Sequence, residues 1–139
     1  MRRLADIVCN QEPLVMSRTA TVRSACKEMR DRRAGSALVV DPAGALVGIF
    51  TGRDAVGKVL ATGVDASTTT LGEVMTPDPV TMSAKKTAID ALRLMWDGGF
   101  RHVPLVDGDR VVGVVSRGDF NGDEHERLEA ERALWEHMR

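Results

Sequence analysis

The chain has 139 residues, of which 19 are basic and 20 acidic, for a formal net charge of −1. That length suits one compact domain, or two small units sharing a core, with roughly two thirds of the unfolded surface buried, and it excludes a large catalytic machine. The balanced charge supplies no global field for nucleic acid or anionic lipid, and three Phe, two Trp and no Tyr leave few platforms for stacking single-stranded nucleic acid.

The opening, MRRLADIVCNQEP, carries two arginines but no signal-peptide apolar stretch, and no run approaches the ~18 residues of a membrane span. A cytoplasmic location is expected. Cys9 and Cys26 lack C-x-x-C spacing and read as small buried side chains in a reducing compartment. Pro13-Leu14-Val15-Met16-Ser17 then begins a pattern that returns as Pro79-Val80-Thr81-Met82-Ser83, at an offset of 66. Val22, Ala25, Cys26 and Met29 form the stripe of an amphipathic helix, matched 66 residues later by Ala88, Ala91, Leu92 and Met95. Thr21 and Thr87 are the expected N-caps, and Arg30, Arg32 and Arg33 read as the solvated end of the first helix.

Next come the strands SALVVD (36–41) and HVPLVD (102–107), each ending on aspartate. The turn DPAGALVG (41–48) is one residue longer than DGDRVVG (107–113), so the offset becomes 65; Pro, Gly and Asp mark both as tight hairpins. The second strands, LVGIFT (46–51) and VVGVVS (111–116), are continuous apolar runs expected to be buried on both faces, with helices beginning after Thr51 and after Ser116. The joint over 61–79 is rich in Thr, Gly and Pro, and LGEVM (71–75) echoes LADIV (4–8). Past Asp123 strong helix formers predict a C-terminal helix whose apolar members are Leu128, Leu134, Trp135 and Met138; Trp135 is expected to dock on the domain or on a second subunit. About 60 residues of helix-strand-strand-helix type are marginal alone, so two copies are expected to pack sheet to sheet as an α/β (α+β) fold, divided as 1–66, 67–122 and the tail 123–139.

GIFTGRD (48–54) and GVVSRGD (113–119) end both second strands on a hydroxyl followed three residues later by an aspartate. One copy alone is close to a capping box. Two copies, both with Asp in place of the usual Glu or Gln and both at the carboxyl end of an apolar strand, point to a ligand site. Backbone N–H groups at a helix start favour phosphate, Arg53 or Arg117 offers a charge-assisted fork, and an ionised carboxylate accepts from both hydroxyls of a ribose diol.

The duplicated unit resembles a CBS domain, and residues 4–120 resemble a stand-alone tandem pair, or Bateman module, through LGEVMTPDPVTM (71–82), RHVPLVD (101–107), GIFTGRD and GVVSRGD. The resemblance implies pseudo-two-fold symmetry, clefts between the repeats, and regulation by AMP, ADP or ATP, with S-adenosylmethionine or NAD as alternatives. It implies no obligatory cofactor. By position, one cleft is implied to use Thr51, Arg53 and Asp54 with Thr76, Pro77, Asp78 and Val80 and with Arg101, His102 and Val103. The other would use Ser116, Arg117 and Asp119 with Gly35, Ser36, Ala37 and the segment around Leu14. The Thr51 cleft ranks first, because it has Arg53 as a cation for phosphate and could borrow Arg101 or His102, while VCNQEP lacks the MTPDP signature of the second repeat.

The chain is thus expected to be a non-enzymatic sensor that forms a homodimer and modulates a partner protein. The competing expectation is a structural or dimerisation module whose clefts are empty and whose motifs are helix caps. His102, His125 and His137 form no ligand cluster in sequence, and zinc would require Cys9 or Cys26 beside one of them. No Ser-His-Asp or Cys-His spacing argues nucleophilic catalysis, and the duplication separates Asp54 from Asp119 as an acid-base pair.

Overall fold

The computed structural model describes residues 2–137. The chain runs α1 (Leu4–Val8), β1 (Val15–Ser17), α2 (Val22–Arg32), β2 (Ser36–Val40), β3 (Leu46–Thr51) and α3 (Gly52–Asp54), which continues as a π-helical segment over Ala55–Leu60. It goes on through α4 (Leu71–Val74), β4 (Thr76–Pro77), β5 (Met82–Ser83), α5 (Ala88–Gly98), β6 (His102–Asp107), β7 (Arg110–Ser116), a 3₁₀ turn (Arg117–Asp119) and α6 (Gly122–His137). This is the expected mixed α/β fold with a C-terminal helix; it has two sheets, β1-β2-β3-β4 and β5-β6-β7.

Compactness divides the chain into two units, and the division is not one of sequence order. One unit holds 12–80 and Gly108–Val111. Its sheet begins with β1 parallel to β2, followed by β3 and β4 in antiparallel pairing. Thr21 caps α2 by accepting from the Ser24 N–H at 3.1 Å, and Val22 and Ala25 are buried beneath it. The helix ends at Arg33 in the left-handed region, φ 54°, with the exposed Arg30 and Arg32 in its last turn as expected. The Asp41 carboxylate closes the β2–β3 turn by accepting from the N–H groups of Ala43 and Ala45, each at 2.9 Å. Leu14, Val22, Ala37, Val39, Phe50, Val59 and Leu71 fill the core.

The other unit holds the chain through Gln11, Thr81–Asp107 and everything described from Val112 onward. Here β5 runs parallel to β6, and α5 buries Ala88, Ala91, Leu92 and Met95 completely, the stripe read from the sequence. Thr87 caps α5, and Gly99, at φ 72°, ends it at the position equivalent to Arg33. The core joins Leu4 and Val8 of α1 to Val103, Leu105, Val115, Phe120 and Leu128.

Several expectations change. β3 buries Gly48, Ile49 and Phe50, but β7 alternates, with Gly113 and Val115 buried and Val112 39% exposed, because only one of its faces is covered. After Ser116 only a single 3₁₀ turn, Arg117–Asp119, follows directly: Phe120 is extended, and α6 begins at Gly122, where Asn121 and Glu124 exchange backbone-to-side-chain bonds at 3.0 Å each. Cys9 is exposed rather than buried, since it stands at the end of α1 beyond the Leu4–Val8 stripe; Cys26 is half-buried, and burial raises its thiol pKa. α6 is held by buried Leu128, by Arg2–Glu124 at 2.5 Å, by Arg93–Glu131 at 2.7 Å and by Arg132 with Asp97. Trp135 does not dock on its own chain: it is 65% exposed, and Leu134 60%. Met138 lies outside the described residues.

Gly113 is required by a close approach, because a Cβ there would stand 2.8 Å from the Val8 Cβ and 3.0 Å from both of its methyl groups. Gly113→Ala is expected to destabilise by about 1–3 kcal/mol. Adding Val8→Ala should recover part of that loss, so that the double variant is less destabilised than the sum of the single changes; urea unfolding midpoints measure it, and additivity would show another cause.

A hydrogen bond from Arg2 holds the Glu124 carboxyl below the ordinary carboxylate range, and one from the Thr87 backbone does the same for Asp90. Both folded values lie below the unfolded ones, so the stabilisation is present above pH ~4 and is lost as pH falls through the folded values. Glu124→Gln should therefore unfold at lower urea than the parent at neutral pH, while the two curves converge in strong acid.

Candidate functional site

The carboxyl end of β3 is where a buried charge enters the fold. Thr51 leaves the strand with extended backbone and caps the following turn: its N–H donates to Asp54 Oδ2 at 2.9 Å, and the Asp54 N–H donates to Thr51 Oγ1 at 3.4 Å. The Asp54 side chain is turned inward and the residue is only 7% exposed. Its other oxygen, Oδ1, accepts from the Thr76 hydroxyl at 3.2 Å and faces the Lys58 ammonium at 3.1 Å; that ammonium also lies 3.3 Å from Thr76 Oγ1.

Backbone pairing explains why Thr76 arrives there. β4 aligns Thr76 with Ile49 and Pro77 with Gly48, and a Cβ on Gly48 would meet Met75 Sδ at 2.4 Å. The Met75 thioether is flexible and could move aside, but the same Cβ would stand 3.1 Å from the Thr76 carbonyl oxygen, so glycine eases the approach of β4 to β3. The structure thus brings together Thr51, Asp54 and Thr76, with Pro77 beside them. Arg53, Asp78 and Val80 are exposed on the same unit, Asp78 in the left-handed region at φ 47°. Ser36, assigned from sequence to the Ser116 group, pairs directly with Thr51 across β2 and β3. Gly35 is exposed, whereas Ser36 and Ala37 are buried. The sequence reading missed Lys58; its signal was available as a cation four residues after Asp54, one helical turn on.

The second motif forms a looser arrangement. The Ser116 N–H donates to Asp119 Oδ2 at 2.7 Å and the hydroxyl approaches the same oxygen at 3.3 Å, but Asp119 is exposed. Arg117 is turned away onto α5, with its guanidinium carbon 4.7 Å from the centre of the Trp96 ring and Nη2 donating to the Met95 carbonyl at 3.3 Å. Among the neighbouring residues, Arg101 is exposed, Val103 is fully buried, and His102 is half-buried. Burial lowers the His102 pKa, opposed by the Asp119 charge and reinforced by Arg101.

The two motifs differ most in their third partner. In sequence, Asn10–Gln11 stand 66 residues before Thr76–Pro77, and Val114 is the counterpart of Ile49. In place of a paired backbone, the Gln11 side-chain amide binds β7: its Nε2 donates to the Val114 carbonyl at 2.8 Å and its Oε1 accepts from the Val114 N–H at 2.7 Å.

Thr-x-x-Asp by itself is not diagnostic. Thr87 and Asp90 make the same capping box at 3.0 and 3.3 Å with no strand end involved, and Thr70 and Glu73 make another. Aspartate at the third position therefore carries less weight than the sequence suggested. What singles out Asp54 is its burial together with the partners of its second oxygen. Among the described residues, no three His, Cys, Asp or Glu side chains come together to hold a metal ion.

The CBS domain family model matches residues 4–61 and 71–121. The CBS domain-containing protein CBSCBSPB2 of Arabidopsis thaliana is 34% identical over 102 residues, 73% of this chain and 19% of that protein, so the chain spans about a fifth of the length of such relatives. A crystal structure of a CBS-domain containing protein from Agrobacterium tumefaciens superposes with a TM-score of 0.76 at 26% identity, covering 84% of this chain and 89% of that one. The fold is also that of a CBS domain protein from Pyrobaculum aerophilum complexed with AMP, with a TM-score of 0.82, 22% identity and coverage of 92% and 98%. With two matched repeats and the motif-bearing strand ends in place, the chain belongs to the CBS domain family.

Proposed function

We propose that this protein is a non-enzymatic regulatory module that binds an adenosine-containing ligand, AMP, ADP or ATP, and passes its occupancy to a partner protein. The observation that carries this reading is the Asp54 carboxylate, buried at the end of β3 and already contacted by Thr51, Thr76 and Lys58. A carboxylate of this kind is acceptor-only and suits the paired donors of a ribose diol. The AMP complex of a protein with the same fold is consistent with it. Thr51, Arg53, Asp54, Thr76, Pro77, Asp78 and Val80 are the first proposed contacts, with Arg101, His102 and Val103 as further ones. A homodimer and a cytoplasmic location belong to the same reading; no described helix is long and apolar enough to cross a membrane.

At the second motif a structural role is favoured by a specific observation. Arg117 is committed to Trp96 and Met95, and Ser116 with Asp119 closes a capping turn on an exposed surface. Gly35, Ser36, Ala37, Ser116, Arg117 and Asp119 therefore rank second as ligand contacts.

Transmission requires that the ligand bind two conformations with different affinity. The first test is thermal unfolding with AMP, ATP, S-adenosylmethionine or NAD. A ligand at a hundredfold excess over its Kd contributes about 2.7 kcal/mol, a shift of several degrees for a domain of this size. Asp54→Ala should abolish that shift and Asp119→Ala should leave most of it. Absence of any shift at millimolar ligand would favour a structural module, and turnover of ATP in the same samples would favour an enzyme.

A further inference from the structure

Asp54 Oδ1 already has two donors, the Thr76 hydroxyl at 3.2 Å and the Lys58 ammonium at 3.1 Å, while Oδ2 takes the Thr51 N–H at 2.9 Å and its hydroxyl at 3.3 Å. A carboxylate offers about four lone-pair sites, so this one is full. A ribose diol reaches it only if a present donor leaves. The Thr51 N–H is fixed by the strand end, and backbone pairing of Thr76 with Ile49 keeps the short Thr76 side chain beside the carboxylate, as the capping turn keeps that of Thr51. Lys58 is different: its side chain is 44% exposed and sits on a flexible four-carbon stem, and it touches the site only through its terminal ammonium.

Resting on the adenosine reading above, we infer that Lys58 is a displaceable counter-ion that makes the Asp54 site selective for phosphorylated adenosines. In the free protein Lys58 neutralises the buried carboxylate. An incoming diol takes its place on Oδ1, and the released ammonium becomes available to a new anion. A nucleotide brings one on the same molecule, whereas adenosine brings none. Selectivity arises because the unphosphorylated ligand breaks the Lys58–Asp54 pair without replacing it, a loss that a phosphate oxygen offsets through a charge-assisted hydrogen bond.

The test is calorimetric titration of AMP and of adenosine into the full chain and into Lys58→Met, at one ionic strength. The expected result is a change of opposite sign for the two ligands. AMP should weaken about tenfold, having lost a charge-assisted contact. Adenosine should tighten by roughly threefold, because its diol no longer competes with the ammonium. Lys58→Arg, which retains the charge, should preserve the AMP preference and show that the methionine effect is not a folding defect. If AMP and adenosine change by the same factor in Lys58→Met, the selectivity role is overturned while the nucleotide reading stands. If the parent protein binds neither, both fall together.

Discussion

In each half of the chain a helix is closed onto its sheet by a parallel pairing of only two or three residues. Met16 aligns with Val39 and Ser17 with Val40; Met82 aligns with Leu105 and Ser83 with Val106. The partners keep the 66-residue offset to the residue, so the two halves share a register as well as a sequence pattern. Such short strands gain little from their hydrogen bonds, and the burial of Val22 and Ala25, or of Ala88, Ala91, Leu92 and Met95, holds each crossover in place. Once that crossover is set, the antiparallel return strand can end only where it does, and Thr51 and Ser116 are delivered to equivalent positions.

Equivalent positions have nevertheless acquired different chemistry. Around Asp54 a paired backbone segment brings Thr76, and the helical continuation brings Lys58, so the buried carboxylate has partners on both oxygens. Around Asp119 the corresponding segment offers Gln11 to the strand and leaves the carboxylate exposed. Arg117, which in sequence looks like a phosphate fork, finds an aromatic face and a carbonyl instead. Duplication conserves the frame, and a few substitutions next to it decide whether a strand end becomes a polar pocket or a closed turn.

The repeat, the helix stripes, the caps at Thr21 and Thr87 and the strand pairs were legible in the sequence because each rests on local periodicity or on a residue type with one strong conformational use. Other features were not, and three of them show why. β7 reads as buried on both faces because an apolar run does not reveal which faces the fold covers. Lys58 was passed over because a lysine on a helical turn is ordinarily a solvated charge, and only the arrival of Thr76 from a distant segment gives it a site. Cys9 was read from its type, although its burial is decided by where α1 stops. For β7 and Lys58 the missing information was a neighbour from a distant segment; for Cys9 it was the local end of a helix. The Thr87–Asp90 box shows the converse, since a motif that looked like a signature also performs ordinary capping.

Gln11 has a consequence beyond the ligand question. A bare margin of β-sheet is a template for any passing strand, and proteins usually blunt it with charge, proline or a covering segment. Here a single primary amide copies the donor-acceptor pair of a peptide group and stoppers β7 at Val114. The blockade depends on one side chain, so Glu at this position, with no N–H to give, would reopen the ladder at its acceptor and offer the strand to a second chain.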